Sequence, residues 1–333
     1  EMMAAVAAAN AWDFVRRPLD VLRLAQHWTS HRKIAALTDL VDSDIEARLR
    51  EPRGRPDISP LIAREGAERL AAAQLFCQRD EFKLDSADAA TPRAAESIDL
   101  MKVFFDWKTA DVEALLRLPV FDLATHGRTR FHHRSVAEYL AARYLHRRMM
   151  SDAINRRELY RFFFRQANDG LLVVNRAAEP VLGWLAGLDE RLRDRLIDLA
   201  PWVAVQYGDP AALPMDAKKS LLRSYAELRR GRHWPGDRFD EANLRRIADP
   251  RLAECLKTLL EAHAEHETRI NLLRMAVAAG AATCAETAAD MVGDPAAAPP
   301  VRVEAAVAAH TLGESKTRTR LRRILDASPE TEL

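Results

Sequence analysis

Between Val120 and Ala142 the apolar pattern changes from the period of a strand to that of a helix within a few residues, and that joint constrains the fold more than any other stretch. Val120-Phe121-Asp122-Leu123 and Thr129-Arg130-Phe131-His132-His133 flank His126-Gly127. A glycine there tolerates the positive φ that a tight hairpin connection often needs, so the spacing predicts a β-hairpin. Alternation along the second strand places Thr129, Phe131 and His133 on one face and Arg128, Arg130 and His132 on the other. Ser135 and Glu138 stand at capping-box spacing, which predicts a helix beginning at Val136. His133 then shares the buried side of Phe131, just before a helix start whose unbonded N–H groups and dipole favour an anion. That is a place to sense a phosphate. The alternative is that His133 bonds a backbone group at the strand end.

Upstream, Val21, Leu22, Ala25 and Trp28 recur at helical spacing, as do Leu37, Leu40, Val41, Ile45 and Leu49, which predicts two amphipathic helices. Glu51-Pro52-Arg53-Gly54-Arg55-Pro56-Asp57 breaks the pattern with two prolines and a glycine. A helical domain over 1–51 is therefore expected, followed by a second domain over 58–150. In the second, Ile62 to Leu75 reads as a helix, Phe76 to Leu84 as a short strand-like piece, Asp85 to Ser97 as a polar loop, and Asp111 to Leu118 as a helix before the hairpin. Helices followed by a two-stranded wing predict a winged helix. From 151 to 333 the pattern becomes uninterrupted helices. Asp209-Pro210, Asp249-Pro250 and Asp294-Pro295 recur at intervals of 40 and 45 residues, within the span of about 40 to 47 expected of HEAT or armadillo units. Leu252, Leu256, Leu259 and Leu260, then Ile270, Leu272, Leu273 and Val277, would line the seams. The fold class expected is mainly α, with a small hairpin and a C-terminal helical solenoid.

Composition agrees with helices: only 12 of 333 residues are glycine. The 50 basic and 49 acidic side chains nearly cancel, so no global field draws the chain to nucleic acid or to an anionic membrane. Cys77, Cys255 and Cys284 are too scattered for a disulfide framework or a zinc site, which suits a reducing cytoplasm, and each is expected to be a small buried residue. No apolar run approaches a bilayer span, and the Ala-rich opening lacks the basic region of a signal peptide.

Phe131, His133, Ser135, Glu138, Tyr139, Ala141 and Ala142 match the pattern Phe-x-His-x-Ser/Thr-x-x-Glu-Tyr-x-Ala-Ala. This stretch resembles the end of the winged-helix domain in NACHT-type members of the STAND class of signal-transducing NTPases. The resemblance implies that His133 contacts the β-phosphate of bound ADP and holds a closed state. Phe14-Val15-Arg16-Arg17-Pro18-Leu19-Asp20-Val21 is similar to the proline-bearing segment that follows the nucleotide-binding core in that family. There Pro18 would pack against the adenine, although proline is also ordinary at the first position of a helix. The likeness spans Trp12 to about Leu145, with only a generic helical array beyond. It implies ADP or ATP with magnesium as cofactor of a longer parent, the parent's own upstream NTPase core as a partner, a protein trigger on the repeats, homo-oligomers on activation, and a role in antiphage defence or stress signalling.

The sequence contains no Gly-x-x-x-x-Gly-Lys-Ser/Thr loop, so the chain alone is not expected to be an enzyme or to carry a cofactor. Gly313-Glu314-Ser315-Lys316-Thr317 lacks the glycine before the lysine. His263, His266 and Glu267 sit at helical spacing without a third metal ligand. No metal site and no catalytic residue are expected. Two other readings stand beside the switch. One is a winged-helix DNA-binding regulator, disfavoured because Asp111 to Leu118 carries two acids and one arginine, leaving Arg128 and Arg130 on the wing for phosphate contact. The other is a plain helical-repeat scaffold, on which Trp184, Trp202, Tyr207 or Trp234 could anchor a partner.

Overall fold

A computed structural model describes residues 1–9, 15, 21–22, 24–25, 28–29, 37–50, 58–83, 97–124, 127–167, 170, 172–230 and 246–327. Pro18, the 51–57 break, most of the Asp85–Ser97 loop, His126 and Trp234 lie outside these residues. The fold is mainly α with small β elements, as the glycine-poor sequence predicts.

Helix α1 (Met2–Ala9) is followed by α2 (Leu37–Arg50), which buries Leu40, Val41, Ile45 and Leu49, the stripe its periodicity predicts. Helix α3 (Pro60–Cys77) begins with Pro60 at its first position and Ser59 as cap, whose hydroxyl accepts the Ile62 N–H. It stops at Gln78, which turns into the left-handed region at φ 53°. Inside α3, Gly66 lets the helix approach its neighbours: a Cβ there would lie 2.6 Å from the Trp107 ring and 2.8 Å from Leu115. The strand expected from Phe76 to Leu84 is shorter, since Phe76 and Cys77 finish the helix and only Glu81–Lys83 forms β1. Strand β2 (Ser97–Asp99) runs parallel to β1, then come α4 (Leu100–Val103) and α5 (Thr109–Leu116).

The hairpin forms as predicted. Strand β3 (Phe121–Leu123) pairs antiparallel with β4 (Thr129–Phe131), Phe121 opposite Phe131, and Gly127 takes φ +68° in the connection. Four strands make one sheet in the order β2-β1-β4-β3. Phe82 of β1 stands edge-on to both Phe121 and Phe131, at ring separations of 6.4 and 5.6 Å. Such aromatic pairs fix the hairpin to β1 beyond their burial alone. The next element is α6 (Arg134–Met150), packed along α3.

After α6 the helices are interrupted once more than the periodicity predicts. Helix α7 (Arg156–Phe163) runs straight into β5 (Phe164–Gln166), which pairs with β6 (Leu172–Val174). The run Leu172-Val173-Val174 is apolar with two β-branched valines, a strand signal too short to stand out in helical surroundings. Then follow α8 (Glu179–Ala186), α9 (Glu190–Leu199), α10 (Pro201–Gln206) and α11 (Met215–Arg230). The last group is α12 (Ala253–Ala262), α13 (His266–Ala279), α14 (Ala285–Gly293), α15 (Pro299–Leu312) and α16 (Ser315–Ala327). Leu256, Leu259, Leu260, Leu272 and Leu273 are buried in their seams. The three Asp-Pro pairs do different jobs. Asp209 is buried and accepts the Thr38 N–H at 2.8 Å, Asp249 caps a short 3-10 turn, and Asp294 closes a turn onto the Ala296 N–H.

Candidate functional site

The joint between β4 and α6 is held from behind by α2. Asp44 and Arg48 stand one helical turn apart and are both buried, with Arg48 Nε donating to Asp44 Oδ2 at 2.7 Å. Arg48 also donates to the Pro119 carbonyl at 3.2 Å, just before β3. His132 completes the cluster: its Nδ1 lies 2.9 Å from the Val120 carbonyl and its Nε2 3.3 Å from Asp44 Oδ2. Burial pushes the Asp44 carboxyl up, but the bond from His132 and the charge and bond of Arg48 outweigh it, holding the group well below the usual carboxylate range. The two strands of the hairpin are thus clamped to α2 by one buried ionic cluster.

This geometry corrects the sequence expectation for the two histidines. Alternation holds through Thr129, Arg130 and Phe131, which are buried, exposed and buried. It fails at His132, because the strand ends there and the residue turns inward to Asp44. His132 is 3% exposed, whereas His133 is only half-buried. The predicted capping box also does not form. The helix starts at Arg134, with His133 as the cap residue in extended conformation and no capping bond from its side chain. Glu138 instead accepts Arg134 Nε at 2.8 Å, one turn apart, and Ser135 Oγ is buried without a hydrogen-bond partner. An i,i+4 arginine–glutamate pair competes directly with the reach-back that a capping box requires. The His133 ring packs edge-on against His132 at 4.7 Å, so its orientation depends on the buried cluster.

One residue beyond Glu138, at Tyr139, a second polar cluster ties α6 down. The Tyr139 hydroxyl donates to Asp42 Oδ1 at 3.1 Å, and Arg64 donates to the same oxygen at 2.5 Å. Burial, then the Asp42 charge, push the Tyr139 hydroxyl up to about 12. Glu68 is buried beside Arg64 and Arg147, and burial raises its carboxyl although both guanidinium groups oppose. The Tyr139 ring stands edge-on to buried Trp184 of α8 at 5.2 Å. The stretch from Phe131 to Ala142 therefore touches α2, α3 and α8. Sequence reasoning missed Asp44, Arg48, Asp42 and Arg64 as its partners. Only the i,i+4 spacing of Asp44 and Arg48 gave a signal.

The remaining candidates separate clearly. Arg128 is tied to Glu81 at 2.6 Å, which leaves Arg130 as the exposed cation of the hairpin. Gly313 lies between two helices, α15 and α16, and not after a strand as a phosphate loop requires. His263 is buried and its carbonyl accepts Arg269 Nε, while His266 is exposed at the start of α13. Among the described residues no three histidine, cysteine or acidic side chains converge as metal ligands. No described helix is long and apolar enough to cross a membrane. Trp184 is buried and Trp202 and Tyr207 are packed against the core, so these are not exposed anchors. The cysteines meet the expectation of burial only at Cys284: Cys255 is half-buried, and Cys77, the last residue of α3, is exposed.

No family model matches the chain, and no curated protein or solved structure matches it.

Proposed function

We propose that this chain is the regulatory and sensor portion of a NACHT-type STAND ATPase switch, in which the segment around His133 holds an ADP-bound closed state and the C-terminal helices form a HEAT-like array that receives a protein trigger. The observation that carries this reading is the start of α6. There a half-buried His133, the unbonded N–H groups of the first turn and the unpartnered Ser135 hydroxyl lie within three residues. A phosphate oxygen suits such a place, since helix starts favour anions and a buried hydroxyl without a partner is costly. His133 and Ser135 would hold the phosphate; Pro18 would meet the adenine.

A histidine bond to a charged phosphate contributes about 1.5 to 3 kcal/mol. That is enough to bias a two-state equilibrium about ten-fold or more. Binding of the trigger in a geometry incompatible with the closed arrangement would release the α2–hairpin–α6 unit, let ADP leave, and permit ATP-bound protomers to assemble. The reading carries with it a cytoplasmic location and a role in antiphage defence or stress signalling, both resting on the resemblance alone.

The test is to purify the full-length protein, denature it and identify the released nucleotide, for wild type and His133→Ala side by side. Near-stoichiometric ADP from wild type and much less from the variant supports the switch. Equal content in both, or none in either, makes His133 a structural residue and favours the plain helical scaffold. The DNA-binding reading is weaker because Arg128 is already paired with Glu81. A salt-dependent affinity for duplex DNA would revive it.

A further inference from the structure

The near balance of charge over the whole chain hides a local imbalance at α16. Within its 13 residues stand Lys316, Arg318, Arg320, Arg322 and Arg323, against one acid, Asp326. Helix α14, on which α16 packs, has Glu286 and Asp290 and no cation. Opposite charges therefore meet at that contact, and Arg320 is the cation it takes up. Arg320 donates to Glu286 at 2.9 Å and also pairs with Asp290, while the Thr317 hydroxyl donates to Glu286 at 2.5 Å. Thr317 and Leu321 are buried one turn apart, with Ile324 half-buried beyond them.

These contacts fix which way the helix is turned. With Thr317, Leu321 and Ile324 on the packed face, Thr319 falls opposite, flanked by Lys316 and Arg323 on one side and by Arg318 and Arg322 on the other. All four of these cations are exposed. Arg318 Nε donates to the His310 carbonyl at 3.0 Å, which uses one of its five N–H groups. Along the axis Arg318 and Arg322 are about 6 Å apart, and Lys316 and Arg323 about 10 Å. Such a double row suits a ligand with many anionic groups at a regular repeat. The phosphates of a nucleic acid have that repeat, and guanidinium forks fit their oxygens two at a time. An acidic protein segment has no fixed repeat of charge to match. Helix α16 also contains no aromatic ring, so it lacks the stacking platform that holds single strands.

We propose that the exposed face of α16 binds the phosphate backbone of double-stranded nucleic acid through Lys316, Arg318, Arg322 and Arg323, without reading base sequence. The inference goes beyond the nucleotide reading and uses none of its residues, nor the hairpin cation Arg130.

The experiment is fluorescence anisotropy of the whole chain with labelled duplexes of mixed sequence, as DNA and as RNA, over about 50 to 200 mM salt. Four phosphate contacts predict a slope of log K against log salt of about −3.6 for DNA, a loss of about 150-fold across that range. Arg322→Gln with Arg323→Gln, both away from the packed face, should halve the slope to about −1.8 and weaken binding about 100-fold at the low-salt end. Arg157→Gln with Arg161→Gln removes the same charge from exposed positions of α7 and should leave slope and affinity unchanged. Binding of either duplex with this pattern supports the proposal, and the tighter of the two names the source. Equal loss in the α7 pair would reduce the effect to net charge, and loss in Arg130→Gln with none in the α16 pair would assign the duplex to the hairpin. Either result, no binding of either duplex, or displacement by polyglutamate as effective as by unlabelled duplex would overturn the proposal.

Discussion

The two halves of the molecule are held together by different physics. Around the hairpin, α2, α3 and α6 meet through charges: a buried cluster of Asp44 with Arg48 and His132, and a partly exposed one of Asp42 and Glu68 with Arg64, Arg147 and Tyr139. In α12 to α16 the seams are leucine and alanine, with Leu256, Leu260, Leu273, Ala276, Ala288, Ala305 and Ala308 buried, and a buried arginine such as Arg302 donates to the Val292 carbonyl. A buried ionic cluster is strong only in one arrangement, and removing one member leaves a charge stranded. An apolar seam tolerates small shifts and loses stability in proportion to the volume removed. The first kind of interface suits an element that is either docked or released; the second suits a scaffold.

The sharpest way to break this contrast is Asp44→Ala. It strands Arg48 and His132 in the core and is expected to cost about 3 to 5 kcal/mol, read by chemical denaturation, with the loss centred on the hairpin in hydrogen exchange. Leu273→Ala in the opposite half is expected to cost about 2 to 5 kcal/mol, the usual range for a buried leucine. Its exchange should rise in α12 to α15 and leave the hairpin protected. A common pattern for both variants would mean one cooperative unit and no contrast.

Acid should also test the buried cluster behind the hairpin. Asp44 has a lowered value in the fold, so its contribution is complete above the unfolded carboxylate value of about 3.9 and is lost as pH falls toward the folded value. Glu68 is raised and acts in the opposite sense, stabilising below its unfolded value and losing that contribution as pH rises through the folded one. In a melting series from pH 6 downward read by exchange at the hairpin, Asp44→Asn should flatten the acid limb there. The smallest effect is at Gly280, which ends α13 at φ +62° with open space around it. Gly280→Ala meets only backbone strain, about 1 kcal/mol, and its melting curve should shift without any change at the hairpin.

Much of the architecture was legible in the sequence because it rests on local rules. The α2 stripe, the proline-led start of α3 and the Phe121–Phe131 hairpin all follow from period, cap and turn chemistry. The errors fall where a distant partner overrides a local preference. His132 turns inward for Asp44, a residue 88 positions away, and strand alternation cannot see it. Ser135 loses its capping role because the helix gains one more residue pair, Arg134 with Glu138. The β5–β6 hairpin was hidden because three-residue strands carry too little pattern. For the candidate site, His133 was placed at the right joint but on the wrong side, half-buried and not in the core.

That exposure makes His133 the residue to test. In the full-length protein loaded with a fluorescent ADP analogue, stopped-flow release should be about ten-fold faster for His133→Ala than for wild type, the equivalent of about 1.4 kcal/mol. Release at the wild-type rate from a folded His133→Ala protein would contradict the account.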